Sequence, residues 1–236
     1  MHKEVIRYKD GATECVGYLA HPDGKSKVPA VLIAHAWDGC DEFARSKARA
    51  LAELGYAGVA LDIYGAGKCG SGPQENAGLM QPFLDDRAML RRRLGAGLSW
   101  AAANRLVDAK RIAAMGFCFG GLCVLDMARS GADLRGVISF HGLFTPAAGI
   151  PNARIKARVL ALHGYDDPMV PPNAVLALAK ELTESGADWQ IHAYGNTLHA
   201  FTNPAARDRS FGAYYDANAD RRSWETTINF LKECLA

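Results

Sequence analysis

No stretch of this chain approaches the ~20 consecutive apolar residues that a membrane-spanning helix requires. The first ten residues carry Lys3, Glu4, Arg7, Lys9 and Asp10 where a signal peptide would need an apolar core. The sequence therefore predicts a cytoplasmic protein with no membrane partner. Charge of one sign is also lacking. The formal net charge of +2 leaves no basic surplus of the kind that draws proteins to nucleic acid. The six cysteines, at positions 15, 40, 69, 118, 123 and 234, form no C-x-x-C pair and no zinc spacing, and in a reducing compartment they are expected as free thiols. There is no H-E-x-x-H and no G-x-G-x-x-G after the first strand. The Gly-Lys pair at 67–68 fails as a phosphate-binding loop, because Asp62 stands where its first glycine belongs and Cys69 where Ser or Thr must follow. No metal and no dinucleotide is implied, so the expected cofactor set is none. Repeats, low-complexity tracts and Ser/Gly linkers are missing too. The reading is a single α/β domain over residues 1–236.

What is present suits a large core, since 49% of the residues are apolar. Strand and helix patterns alternate, which predicts a mostly parallel sheet with helices on both faces. A hairpin is expected from Glu4–Tyr8 and Cys15–Ala20, turned at Asp10-Gly11. Continuous apolar runs at 28–34 and 57–63 read as strands buried on both faces. Between them Asp41 can cap a helix that Gly55 stops. Residues 65–78 read as a loop and 82–104 as one helix, in which Arg91-Arg92-Arg93 would form a solvated face. Strands follow at 111–116, 136–140, 159–163 and, last, 189–194. Helices are expected at 119–130 and 174–185, and a closing one from about Ser223 that buries Trp224, Ile228 and Leu231.

The most informative stretch is Gly116-Phe117-Cys118-Phe119-Gly120-Gly121, preceded by a strand and followed by an apolar helix. A G-x-S-x-G elbow sets a nucleophile on a sharp strand-to-helix turn, and its glycines admit neighbouring backbone that a Cβ would block. Here cysteine takes the serine position. The helix N-terminus beside the sulfur favours thiolate and offers N–H groups to an oxyanion, so the Phe119 N–H is the expected donor. In this arrangement an acid and then a histidine follow, each after a later strand. The sequence His163-Gly164-Tyr165-Asp166-Asp167-Pro168 supplies two carboxylates. Asp167 is favoured, because Pro168 biases it toward an extended backbone. His199 lies on a loop after the last strand, whereas His35, His141 and His163 sit at strand ends, where structural hydrogen bonding is the commoner role.

These motifs resemble the dienelactone hydrolase family along nearly the whole chain. The resemblance also includes Ala34-His35-Ala36-Trp37-Asp38-Gly39, Leu61-Asp62-Ile63-Tyr64-Gly65, Asp167-Pro168-Met169-Val170-Pro171 and Leu198-His199-Ala200-Phe201. It implies an α/β-hydrolase fold, with Cys118 as nucleophile, Asp167 as acid, His199 as base, and the backbone N–H of Trp37 as a second oxyanion donor beside Phe119. The implied reaction is cleavage of a small-molecule ester or lactone through a thioester. Two departures from the family pattern are visible. Ala36 replaces a glutamate that meets the resting thiol in the best-known members. Asn203 stands four residues past His199, with no arginine before Arg207, whereas those members place a carboxylate-binding arginine shortly after the histidine. The dienelactone substrate itself is therefore not implied. Acyl transfer to an acceptor other than water, or a non-catalytic binding or redox-sensing module, are the alternatives, and Ala36 favours the module.

Overall fold

The computed structural model describes residues 1–24 and 26–236. Among the described residues, eight strands form a mixed sheet in the order β1-β2-β4-β3-β5-β6-β7-β8, accompanied by six helices and a separate two-stranded ribbon. No described helix is long and apolar enough to cross a membrane. The chain divides into two compact units, Met1–Met115 and Gly116–Ala236.

In the first unit, β1 (His2–Asp10) and β2 (Thr13–His21) form the expected hairpin, with Gly11 at φ 59° in the turn. Strand β2 runs antiparallel to β4 (Ala57–Ala60), and β4 runs parallel to β3 (Val28–Ala34). Helix α1 (Glu42–Glu53) begins where the Asp41 carboxylate accepts the Ala44 N–H at 3.1 Å. Its buried stripe of Ala44, Ala48 and Leu51 lies so close to β4 that a Cβ at Gly58 would sit 2.3 Å from the Ala48 carbonyl oxygen. Strand β4 stops earlier than the apolar run suggested. The Asp62 carboxylate gathers the N–H groups of Val16, Gly65 and Gly67 at 2.7–2.8 Å and turns the chain out of the sheet.

Residues 65–104 correct the expectation. Instead of a long loop and one helix there are α2 (Pro73–Asp85) and α3 (Arg87–Ala103). Pro73 starts α2, where its fixed φ suits a first turn and no N–H is needed. The two helices break at Asp86, which leaves helical geometry and caps α3 through the Met89 N–H at 2.8 Å. The arginine run is a solvated, ion-paired face only in part. Arg93 is buried, donating Nε–H to Asp10 Oδ2 at 2.9 Å and Nη1–H to the Ile63 carbonyl at 2.7 Å, while the exposed Arg92 takes Asp10 Oδ1 at 2.9 Å. Burial alone would raise the Asp10 carboxyl, but the Arg92 and Arg93 guanidinium groups outweigh it and hold it below the usual range. Strand β5 (Val107–Phe117) is longer than read and leads into the second unit.

In the second unit, α4 (Phe119–Arg129) is buried along its length. Strands β6 (Gly136–Phe140), β7 (Arg158–Gly164) and β8 (Trp189–Tyr194) run parallel, with α5 (Pro172–Glu184) between the last two. Strand β8 is not the last, because β9 (Arg207–Asp208) and β10 (Ala213–Tyr214) form a short antiparallel ribbon after it. Helix α6 (Ala217–Cys234) starts at an Asp216 cap, earlier than expected. Its buried face is Ser223, Thr227, Phe230, Leu231 and Cys234, with Trp224 and Ile228 only half-buried. The buried hydroxyls permit this phase by bonding back along the helix, Ser223 to the Asp220 carbonyl and Thr227 to that of Ser223.

Candidate active site

The turn from β5 into α4 is strained where the motif predicts it. Cys118 has φ 55° and ψ −116°, a conformation a residue with a Cβ rarely adopts. A Cβ on Gly116 would lie 2.0 Å from the Gly120 carbonyl oxygen, which explains the glycine. Cys118 is half-buried, whereas Cys15, Cys40, Cys123 and Cys234 are buried and Cys69 is exposed; all six are free thiols. The Cys118 N–H donates to the Phe140 carbonyl at 3.0 Å and to His141 Nδ1 at 3.1 Å. Phe119 is the first residue of α4, so its backbone N–H lies in the helix's first turn, at the positive end of the helix dipole.

The loop after β7 separates the two candidate carboxylates. Asp166 is exposed and Asp167 is buried. Asp167 Oδ1 accepts the Met169 N–H at 2.8 Å, which fixes the carboxylate, and Oδ2 accepts Nδ1–H of His199 at 2.6 Å. Both partners of that bond are almost fully buried. The His199 backbone is held in turn by the β9–β10 ribbon. Its N–H donates to the Gly212 carbonyl, and its carbonyl accepts from Tyr214, both at 3.0 Å. Gly212, at φ 82°, meets Pro168 so closely that a Cβ would fall 2.2 Å from Pro168 Cγ. The ribbon thus braces both the acid loop and the histidine. Sequence reading missed it because two-residue strands carry no periodicity; Gly212 was the available signal.

Burial by itself would lower the His199 pKa. The negative charge that the Cys118 sulfur can carry and the hydrogen bond to Asp167 outweigh burial and push it up to about 10. His199 Nε2 makes no hydrogen bond of ordinary geometry, yet the sulfur of Cys118 is near enough to act on the ring's titration. Cys118, Asp167 and His199 are thus brought together within the second unit.

Trp37 lies in the first unit, on a loop whose carbonyls at positions 36–38 are engaged. Ala36 O accepts from His35 Nδ1 at 2.6 Å, Trp37 O from the Tyr64 hydroxyl at 2.8 Å, and Asp38 O from the Gly70 N–H at 2.9 Å. His35 Nε2 accepts the Ile63 N–H at 3.2 Å, so both ring nitrogens are used, and burial lowers the His35 pKa. The Asp38 carboxylate accepts Asn76 Nδ2–H at 2.8 Å, and burial together with nearby Asp41 raises its pKa. In the second unit, burial likewise lowers His163, whose ring nitrogens make no ordinary hydrogen bond.

Comparison with known proteins bears on the family and the fold. The sequence profile of the dienelactone hydrolase family matches residues 15–235. An uncharacterized protein of Caenorhabditis elegans is 40% identical over 155 residues, covering 64% of this chain and 98% of that protein. A protein of Aquifex aeolicus, provisionally named carboxymethylenebutenolidase, is 26% identical over 98% of this chain and 99% of its own length. Among solved structures, the dienelactone hydrolase-like promiscuous phosphotriesterase P91, from metagenomic libraries, superposes with a TM-score of 0.95 at 36% identity. That match covers 100% of this chain and 99% of P91.

Proposed function

The chain belongs to the dienelactone hydrolase family and has its α/β-hydrolase fold, and from that premise we propose that it cleaves small carboxylic esters or lactones with Cys118 as nucleophile, His199 as base and Asp167 as orienting acid. The observation that carries this reading is the buried 2.6 Å bond from His199 Nδ1 to Asp167, in a ring that also responds to the sulfur of a strained elbow.

With Nδ1–H given to Asp167, the other nitrogen is the one that takes the Cys118 proton or pairs with its thiolate, and a ring held protonated up to about pH 10 favours the pair. A sulfur lone pair forms the C–S bond to the substrate carbonyl carbon, and the π pair of the C=O bond moves onto the carbonyl oxygen. That oxyanion is bound by the Phe119 N–H at the start of α4. The family resemblance of residues 34–39 supports the Trp37 N–H as the second donor. As the carbonyl re-forms, the C–O bond to the alcohol breaks and His199 Nε2–H protonates the leaving oxygen. Water, deprotonated by the same nitrogen, then hydrolyses the thioester and regenerates the thiol.

A chromogenic-ester assay of wild type and Cys118→Ala tests this. Turnover is expected to fall on the order of 10³-fold or more in the variant, and iodoacetamide is expected to silence the wild type. Full turnover in Cys118→Ala would overturn the assignment. A second reading, phosphotriester cleavage at the same centre, is supported by the full-length similarity to P91. A chromogenic phosphotriester in the same assay separates the two by their relative kcat/KM.

A further inference from the structure

His141, which follows β6, takes no part in the proton transfers above, yet it contacts both the Cys118 elbow and the loop that carries His199. The Cys118 amide can only donate, so His141 Nδ1, 3.1 Å away, must be an unprotonated acceptor. The ring proton is therefore on Nε2, which lies 2.8 Å from Thr202 Oγ1 and donates to it. Thr202 is buried and stands three residues beyond His199, on the same loop. The ring of His141 also packs edge-on against those of His199, at 5.2 Å between centroids, and Phe201, at 5.1 Å. His141 is itself held at φ 37° by its N–H bond to the Leu162 carbonyl at 2.8 Å. A non-glycine residue in that region persists only where its surroundings over-determine it.

We propose that His141 is a positioning residue that ties the amide of the Cys118 elbow to the loop carrying His199, so that sulfur and imidazole keep one register. The inference rests on Cys118 and His199 being nucleophile and base. One neutral imidazole tautomer serves both ends: the acceptor takes the elbow, the donor takes Thr202. The same arrangement removes the Cys118 N–H from use as an oxyanion donor, since the Phe140 carbonyl and His141 both accept it. The first donor of the oxyanion site is thereby the next amide, that of Phe119. Reading from sequence placed His141 among structural histidines at strand ends; what it bonds to was not legible, because Cys118 and Thr202 are 23 and 61 residues away.

The test compares His141→Phe, His141→Asn and Thr202→Val with wild type and Cys118→Ala, using ester kcat, KM and melting temperature. Phenylalanine keeps a ring but neither hydrogen bond, so kcat is expected to drop about 10- to 100-fold with KM within about twofold, as for a reactive pair misplaced by a fraction of an ångström. Asparagine retains an acceptor near the Nδ1 position and is expected to recover most of that loss. Thr202→Val cuts only the distal bond, and kcat should fall about 3- to 10-fold. Wild-type kcat in His141→Phe and Thr202→Val, with at most a lower melting temperature, overturns the proposal while leaving an inactive Cys118→Ala to uphold the triad. Should His141→Phe fail to fold, Thr202→Val decides by the same criterion. Turnover retained in Cys118→Ala overturns the triad, and this inference with it.

Discussion

Each half of the chain buries an aspartate and a histidine beyond strand ends, and the two halves use them in opposite ways. In the first unit, Asp62 gives both oxygens to backbone N–H groups of Val16, Gly65 and Gly67. His35 likewise commits both nitrogens to backbone, at Ala36 and Ile63. In the second unit, Asp167 gives one oxygen to the Met169 N–H and the other to His199, whose Nε2 makes no ordinary hydrogen bond. A saturated group can hold a loop but has no valence left for chemistry. A group with one partner fixed and one atom uncommitted is oriented and still able to exchange a proton.

The comparison can be broken most sharply at His199. Replacing it with glutamine should lower ester kcat about 10²- to 10⁴-fold, the usual worth of general acid–base catalysis, while leaving the melting temperature little changed. A variant that kept its kcat would place His199 with His35 as a structural group. The mirror-image change is Asp62→Ala, which strips three N–H groups of their acceptor. With about 1–3 kcal/mol for each buried group left unsatisfied, urea denaturation should show a loss of several kcal/mol. A loss under about 1 kcal/mol would mean that Asp62 does not anchor its loop.

A subtler test follows the His199 ring by NMR. Wild type should keep it protonated until about pH 10. Removing the sulfur in Cys118→Ala should bring the midpoint down, since the thiolate is the largest influence raising it. An unmoved midpoint would mean that sulfur and ring do not interact. The smallest effect is expected at Asp10. Its carboxyl titrates lower in the folded chain than the ordinary 3.8, because of Arg92 and Arg93. The unfolded chain therefore takes up a proton first as pH falls. The stability owed to this group is complete above about pH 4 and is lost as pH falls through the folded value. Asp10→Asn should flatten that acid limb of stability measured against pH, and an unchanged limb would show the pair to be energetically idle.

Legibility from sequence followed the range of the interactions. The Asp41 cap and the Gly116–Gly121 elbow were readable because each is fixed by residues within a few positions of one another. The order of Asp167 and His199 was readable as a pattern, although their bond spans 32 residues. The run at 91–93 misled because charge patterning describes a helix face in water. It could not foresee Asp10, 83 residues earlier, drawing Arg93 inward. Helix α6 was placed with its stripe turned by about one residue, because bulk suggested Trp224 and Ile228 where the packing selects small hydroxyls. The break at Asp86 was hidden by Pro82, which reads as a helix start yet lies inside α2.

By itself the sequence determined the α/β alternation, the strained turn at Cys118 and the candidate acid and base. These depend on periodicity, on glycine where a Cβ cannot fit, and on residue chemistry, all carried by local stretches of chain. Only the tertiary structure decided which carboxylate reaches the imidazole, how the β9–β10 ribbon holds His199, and that His141 joins the elbow to the His199 loop. Those are hydrogen bonds between distant segments. Their geometry exists only once packing has fixed both ends, and no local pattern encodes a distance across the fold.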